Sequence, residues 1–246
     1  MMRVWDIHPG YLDRGGLLGQ HAEIHAIWSV LRAGGGGYSR HPEVLRWRRH
    51  EGRLAIVHEI TVREMSLRGF GHASPLKIQG RSDCDIRLPS RLISPGEQLA
   101  LVGEKLIDRG SEGRIPLPTR ISQYWAHHKY SIMARGYHRY REVSSEMGRH
   151  PDLVPTADEG ILLRIMEEMV APITPEAMRN TLDHLWGYLK GFATVSEREE
   201  YLGMKEDEGY PGALDALYRL AARYEVAYLL HSSVFADAPF RGERDS

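Results

Sequence analysis

Apolar residues recur at helical spacing along most of the chain, and the places where the rhythm fails are marked by glycine and proline. Leu17, Ile24, Ile27, Trp28 and Leu31 share one face of a helical wheel, which predicts a first helix over about 17–31 with a single core stripe. The glycine run from Gly34 to Gly37 stops it, because such a run loses too much backbone entropy to stay helical. A short, apolar, extended-looking stretch at 3–7 comes before this helix and is ended by Pro9-Gly10. A second helix is predicted over 42–67, with a break at Gly52, and a third over 97–107. Between Gly69 and Pro95 the chain is rich in Gly, Pro, Ser and Asp and reads as a long irregular connection.

The second half reads as helical throughout. Thr174-Pro175-Glu176 offers an N-cap followed by proline at the first helical position, and Ser196 with Glu199 reads as a capping box. Helices are expected at about 120–147, 158–170, 175–192, 197–206 and 213–231. The pattern predicts an all-α protein, with an N-terminal three-helix domain followed by a C-terminal helical bundle. The stretch 109–119 (RGSEGRIPLPT) is the natural boundary, giving domains at 1–112 and 119–235 and a frayed tail at 236–246.

Composition narrows the setting. The chain has 246 residues, 42% apolar and 26% charged, and no run approaches the roughly 18 apolar residues of a membrane span. Its first residues, MMRVWDIHPG, lack the basic-then-apolar order of a secretory signal. The lone cysteine, Cys84, rules out an internal disulfide and fits a reducing compartment, so a cytoplasmic location with no membrane partner is expected. Net charge is only −1, but residues 1–119 carry 17 Lys and Arg against 13 Asp and Glu, while the remainder carries 15 against 20. Much of the basic excess lies at 40–53 (RHPEVLRWRRHEGR), which reads equally as a phosphate-binding patch or a solvated helix face.

Two features of the first helix bear on chemistry. His21 and His25 are four apart and can share a ligand face, but Glu23 between them projects from the opposite side, so no three-ligand metal site is read there. With ligands from elsewhere the pair would make a metal hydrolase, but satisfied or solvent-facing histidines are the commoner reading, and no metal or organic cofactor is expected. Glu23 has Gly19, Ala22 and Ala26 as close helical neighbours, which leaves room beside its carboxylate.

The order Arg3-Val4-Trp5, Tyr11-Leu12-Asp13, Leu17-Leu18, Glu23-Ile24 and Arg68-Gly69-Phe70 is similar to the small phage-type pyrimidine-dimer DNA glycosylases and their bacterial relatives. The bacterial wording is the nearer, running through residues 17–28, 37–43, 46–47 and 68–70, and the likeness covers about 2–110. The resemblance implies a glycosylase-like three-helix domain whose nucleophile is the α-amine of the first residue of the mature chain, attacking the deoxyribose C1′ to form an imine. Carried over by position, the amine belongs to Met2 and the assisting helix-one glutamate is Glu23. Translation from Met2 keeps that methionine, because removal before arginine is disfavoured; a chain starting at Met1 has its amine one residue too far away. An α-amine is suited to the task, since its pKa of roughly 7.7–8 leaves about a tenth neutral at pH 7.

Ala22 and Ala26 stand where the phage enzymes have arginines, Gly16 where they have a histidine, and their aromatic, basic C-terminal segment has no counterpart near 110–120. DNA contacts are therefore expected from Arg3, Arg14, Arg40, His41, Arg46, Arg48 and Arg49. The second half resembles the YbgA-like domains of unknown function over about 119–230, through YWAHHKYSIM at 124–133 and HLWGYLK at 184–190. His127, His128 and Lys129 beside Trp125, with His184 and Tyr188, read either as a polar pocket for a small-molecule or nucleic-acid ligand or as ordinary helix packing. The sequence thus points to a DNA repair glycosylase with apurinic lyase activity on pyrimidine dimers or related lesions, with a non-catalytic damage-recognition protein as the alternative.

Overall fold

A computed structural model describes residues 3–34, 37–76, 86–207 and 210–237, and all regular structure among them is helical. Met2 and Cys84 lie outside the described residues, as does the tail from 238 onward. The chain divides into two compact units, one running through Leu117 together with Pro155–Leu163, the other comprising Pro118–Val154 and the residues from Arg164 onward. No helix among the described residues is long and apolar enough to cross a membrane.

The first unit holds α1 (Arg14–Ala33), α2 (Pro42–Trp47), α3 (Glu51–Leu67) and α4 (Pro95–Arg109). The Asp13 side chain caps α1 by accepting from the Gly16 amide at 2.6 Å, and Gly34 ends it at φ 68°. One uninterrupted helix over 42–67 is not formed. The interruption falls at 48–50 rather than at Gly52, because Arg49 takes the left-handed backbone region at φ 72° while Gly52 stays inside α3. The predicted three helices are therefore four. The third starts two residues early, at Pro95, behind a capping box that the sequence reading missed, in which Ser94 and Glu97 exchange backbone and side-chain hydrogen bonds.

α1 and α3 run antiparallel, as the pairing of Gln20 with Thr61 and of His25 with His58 requires. Val4, Ile24, Ile27, Val44, Trp47, Leu54, Ala55 and Leu76 form one buried cluster, which joins the N-terminal segment to α1, α2 and α3. The stretch read as a linker is partly core. Ile115 is fully buried, its amide donates to the Gly10 carbonyl at 2.9 Å, and a Cβ on Gly113 would meet the Tyr11 backbone at 2.6 Å. Arg114 reaches Glu64, which also receives Arg68 at 2.8 Å and is fully buried.

α7 (Glu159–Glu168) begins in the first unit, where the Glu159 carboxylate accepts from Ser94 Oγ at 2.7 Å and from the Gly96 amide at the start of α4. The second unit contains α5 (Ile121–Met133), α6 (Tyr137–Met147), the end of α7, α8 (Pro175–Leu189), α9 (Val195–Asp207), α10 (Tyr210–Arg223) and α11 (Ala227–Leu230). Gly136, at φ 154°, splits the helix expected at 120–147, and Glu225, at φ 52°, splits the one expected at 213–231. Thr174 caps α8 as expected. The capping box of α9 is not Ser196 with Glu199 but Thr194 with Glu197, two residues earlier; Glu199 is solvent-exposed, whereas Glu197 reaches back to the Thr194 amide at 2.8 Å. Ala236 and Asp237, assigned to the tail by sequence, are buried, and Asp237 pairs with Arg135 at 2.9 Å.

Burial on its own would raise the Glu64 pKa, but Arg114 and Arg68 outweigh it and hold the carboxyl below its ordinary range. The stability that Glu64 contributes is thus complete above the unfolded-state carboxylate pKa and is lost as pH falls through the depressed folded value. Glu64→Gln should cost about 3–5 kcal/mol in urea unfolding at neutral pH, because it removes the buried counter-charge of the Arg68 and Arg114 guanidinium groups. The difference from the unaltered protein should narrow in acid.

Candidate active site at the N-terminal segment

Residues 3–7, read from sequence as extended, form no regular structure and bend at Asp6 and Ile7, and they pair with no strand among the described residues. Their amides are taken up one by one by side chains. Val4 N donates to Glu43 Oε1 at 3.1 Å, Trp5 N to Gln20 Oε1 at 3.1 Å, and Asp6 N to Gln98 Oε1 at 2.8 Å. Farther along, the Arg68 guanidinium donates to the Leu12 carbonyl at 2.7 Å and the Gly10 carbonyl at 3.1 Å. Each buried peptide group so held avoids the desolvation cost of an unmet hydrogen bond.

The direction of this segment matters for chemistry. Asp13 lies at the start of α1, Trp5 is bonded to Gln20 in its second turn, and Val4 packs in the cluster that contains Ile24 and Ile27. Going backward from Asp13, the chain therefore passes along α1 toward the turn that carries Glu23. Glu23 is half-buried, and its pKa is raised by that burial and by the nearby Glu43 carboxylate, with His41 opposing. A carboxyl group poised above its usual range is suited to passing protons near neutral pH.

The expected DNA contacts separate into two kinds. Arg14, Arg40, Arg48 and Arg49 are exposed, Arg3 is half-buried with its guanidinium 5.0 Å from the Trp5 ring centre, and Arg14 lies over Phe70. His41 is half-buried, and its Nδ1 caps α2 by accepting from the Glu43 amide at 3.1 Å. Arg46 is different, and the phosphate-contact reading does not hold for it. Its Nε donates to Glu43, its two terminal nitrogens to both Asp6 oxygens at 3.0 Å, and further bonds reach the Val4 and Ser90 carbonyls. Burial would lower its pKa, but Asp6 and Glu43 raise it above the ordinary arginine value. Its positive charge is thus spent inside the protein.

Sequence reasoning missed Gln20, Glu43 and Gln98 as the residues that fix the N-terminal segment. No local pattern marks them, because their partners are 15, 39 and 92 residues away. It also stopped short at His21 and His25. The antiparallel register brings His58 opposite His25, and His72 follows from the segment after α3, so that ring nitrogens of all four lie within 4.8 Å of one another. Burial and the other three rings push His21 down to about 4, and burial with His58 and His72 lowers His25. These imidazoles are the residues suited to hold a metal ion.

In the second unit, the histidine and aromatic motif serves packing. His128 Nδ1 contacts Ser233 Oγ at 2.9 Å, Ser131 Oγ lies 2.6 Å from the same oxygen, and Ser233 Oγ donates to the His127 carbonyl. Trp125 stacks on Tyr140, Tyr137 on His184, and the Tyr130 and Tyr188 hydroxyls meet at 3.0 Å. The motif thus ties α5 to the segment 232–237 and to α6 and α8.

With this geometry in place, comparison with known families supports both resemblances. Residues 2–78 match the family described as pyrimidine dimer DNA glycosylase, and residues 129–239 match a family described as protein of unknown function (DUF1722). The first match spans the N-terminal segment and α1 to α3 and ends before α4. No curated protein and no solved structure matches the chain.

The two kinds of arginine should separate by experiment. Arg46→Ala should destabilise the protein by about 3–5 kcal/mol, because it leaves Asp6 and Glu43 buried without their cation. Arg48→Ala should keep stability within about 0.5 kcal/mol and lower the salt slope of DNA binding by about 1.

Proposed function

We propose that the first unit is a DNA glycosylase with apurinic lyase activity, acting on pyrimidine dimers or related base lesions through an imine formed by the α-amine of Met2. The observation that carries this reading is the course of the N-terminal segment along α1, pinned amide by amide, toward the half-buried Glu23. Met2 itself lies outside the described residues. The match of residues 2–78 to the pyrimidine dimer glycosylase family supports the same reading.

In this mechanism the neutral amine bonds to C1′ as the bond to the lesion base breaks. Loss of the amine's protons and opening of the sugar ring give the imine, and removal of a C2′ proton then expels the 3′ phosphate by β-elimination. Glu23 accepts and returns the protons, which its raised pKa favours. The sugar carbon becomes reachable only when the damaged site is distorted or flipped, so lesions that already weaken stacking are preferred. Arg3, Arg14, Arg40, Arg48 and Arg49, with His41, supply the DNA contacts, and no organic cofactor takes part.

One observation favours a non-catalytic damage-recognition protein instead. Arg46 is withdrawn from the basic patch, and the helix-one positions beside Glu23 are the exposed, uncharged Ala22 and Ala26, so phosphate grip is reduced. Borohydride trapping on ultraviolet-irradiated and abasic duplexes decides between the two. Expected is a covalent protein–DNA adduct that is lost when the amine is acetylated or extended by one residue, and that falls at least a hundredfold in Glu23→Gln. Salt-sensitive binding with no adduct at any pH between 6 and about 9, which spans the amine pKa, rejects the enzymatic reading.

A further inference from the structure

His21 and His25 of α1, His58 of α3 and His72 of the following segment converge on one point. His25 Nε2 stands 3.3 Å from His21 Nε2 and 3.2 Å from His58 Nε2. Hydrogen bonding does not account for this arrangement. An imidazole nitrogen carries either one in-plane proton or one in-plane lone pair, so His25 Nε2 satisfies one neighbour at full strength and leaves the other facing a spent group. A central ion accounts for both contacts. With metal–nitrogen bonds of about 2.0–2.1 Å, two ligand nitrogens of a tetrahedral site stand roughly 3.3 Å apart.

The outer nitrogens fit the same arrangement. His58 Nδ1 faces Glu59 Oε1 at 3.1 Å, and His72 Nε2 faces the Ser74 carbonyl at 2.9 Å. A proton donated outward at each of these contacts fixes the tautomer whose other nitrogen turns a lone pair inward, and a carboxylate or carbonyl behind a histidine is the usual support of a metal ligand.

We propose that His21, His25, His58 and His72 form a tetrahedral site for a divalent first-row transition ion, with zinc the best match to four neutral imidazoles. Four protein ligands leave no open position, so the ion is structural and cross-links α1, α3 and the segment that carries His72. Glu23 projects from the opposite side of α1, which keeps the ion apart from the proposed repair chemistry. This site goes beyond that reading and does not depend on it.

The test uses the full-length chain, stripped with chelator and dialysed, then titrated with Zn²⁺ and separately with Co²⁺. Expected are one equivalent of tightly bound Zn²⁺, a higher Tm on loading, and the intense visible bands of tetrahedral Co²⁺. His58 is fully buried, so its replacement tests folding as much as binding; His72→Ala and His21→Asn, at half-buried rings, are the informative variants. Each should keep the far-ultraviolet circular dichroism of the unaltered protein and weaken Zn²⁺ binding at least a hundredfold. Failure of the unaltered chain to bind Zn²⁺, Co²⁺, Ni²⁺ or Cu²⁺ stoichiometrically overturns the proposal, and so does unchanged Zn²⁺ affinity in both variants. Borohydride trapping is scored separately, so an adduct without metal binding rejects the metal site alone.

Discussion

A segment outside both helix and sheet has to find partners for its peptide groups, and in the first unit that demand organises much of what surrounds it. Val4, Trp5 and Asp6 each hand their amide to a different side chain, from α2, α1 and α4 respectively. Those side chains are themselves buried and must be satisfied in turn. Glu43 gathers the Arg46 and Trp47 side chains, and Gln98 and Arg46 both return to Asp6. The result is a closed polar network in which residues 4–6 are held by three helices.

The same network explains the division among the basic residues. A guanidinium that donates every one of its hydrogen bonds to protein acceptors fixes geometry and cannot also neutralise phosphate. Arg46 and Arg68 hold the N-terminal segment from its two ends, and Glu64 and Arg114 extend the arrangement to residues that follow α4. In the second unit Ser233 and the Arg135–Asp237 pair fasten residues 232–237 against α5 by similar means.

Much of this was legible from the sequence. Helical spacing gave the all-α class, and the Thr174-Pro175 start and the Gly34 stop behave as their backbone chemistry requires. Breaks set by non-glycine residues were not legible, because Arg49 and Glu225 carry no intrinsic preference for the left-handed region and are held there by their surroundings. The capping box of α9 was misplaced by two residues because Ser196 with Glu199 and Thr194 with Glu197 fit the same four-residue pattern, and only burial of Glu197 decides between them.

The candidate site divides in the same way. Residue order by itself carried Glu23 as a candidate and the His21–His25 pair, since these depend on spacing within one helix and on likeness along the chain. Tertiary structure decided that Gln20, Glu43 and Gln98 hold residues 4–6, that Arg46 is an interior residue, and that His58 and His72 complete a cluster begun on α1. The physical reason is range. Helix periodicity and capping act over a few neighbouring residues, whereas a buried hydrogen bond or a ligand cluster is fixed by which surfaces meet once the helices have packed.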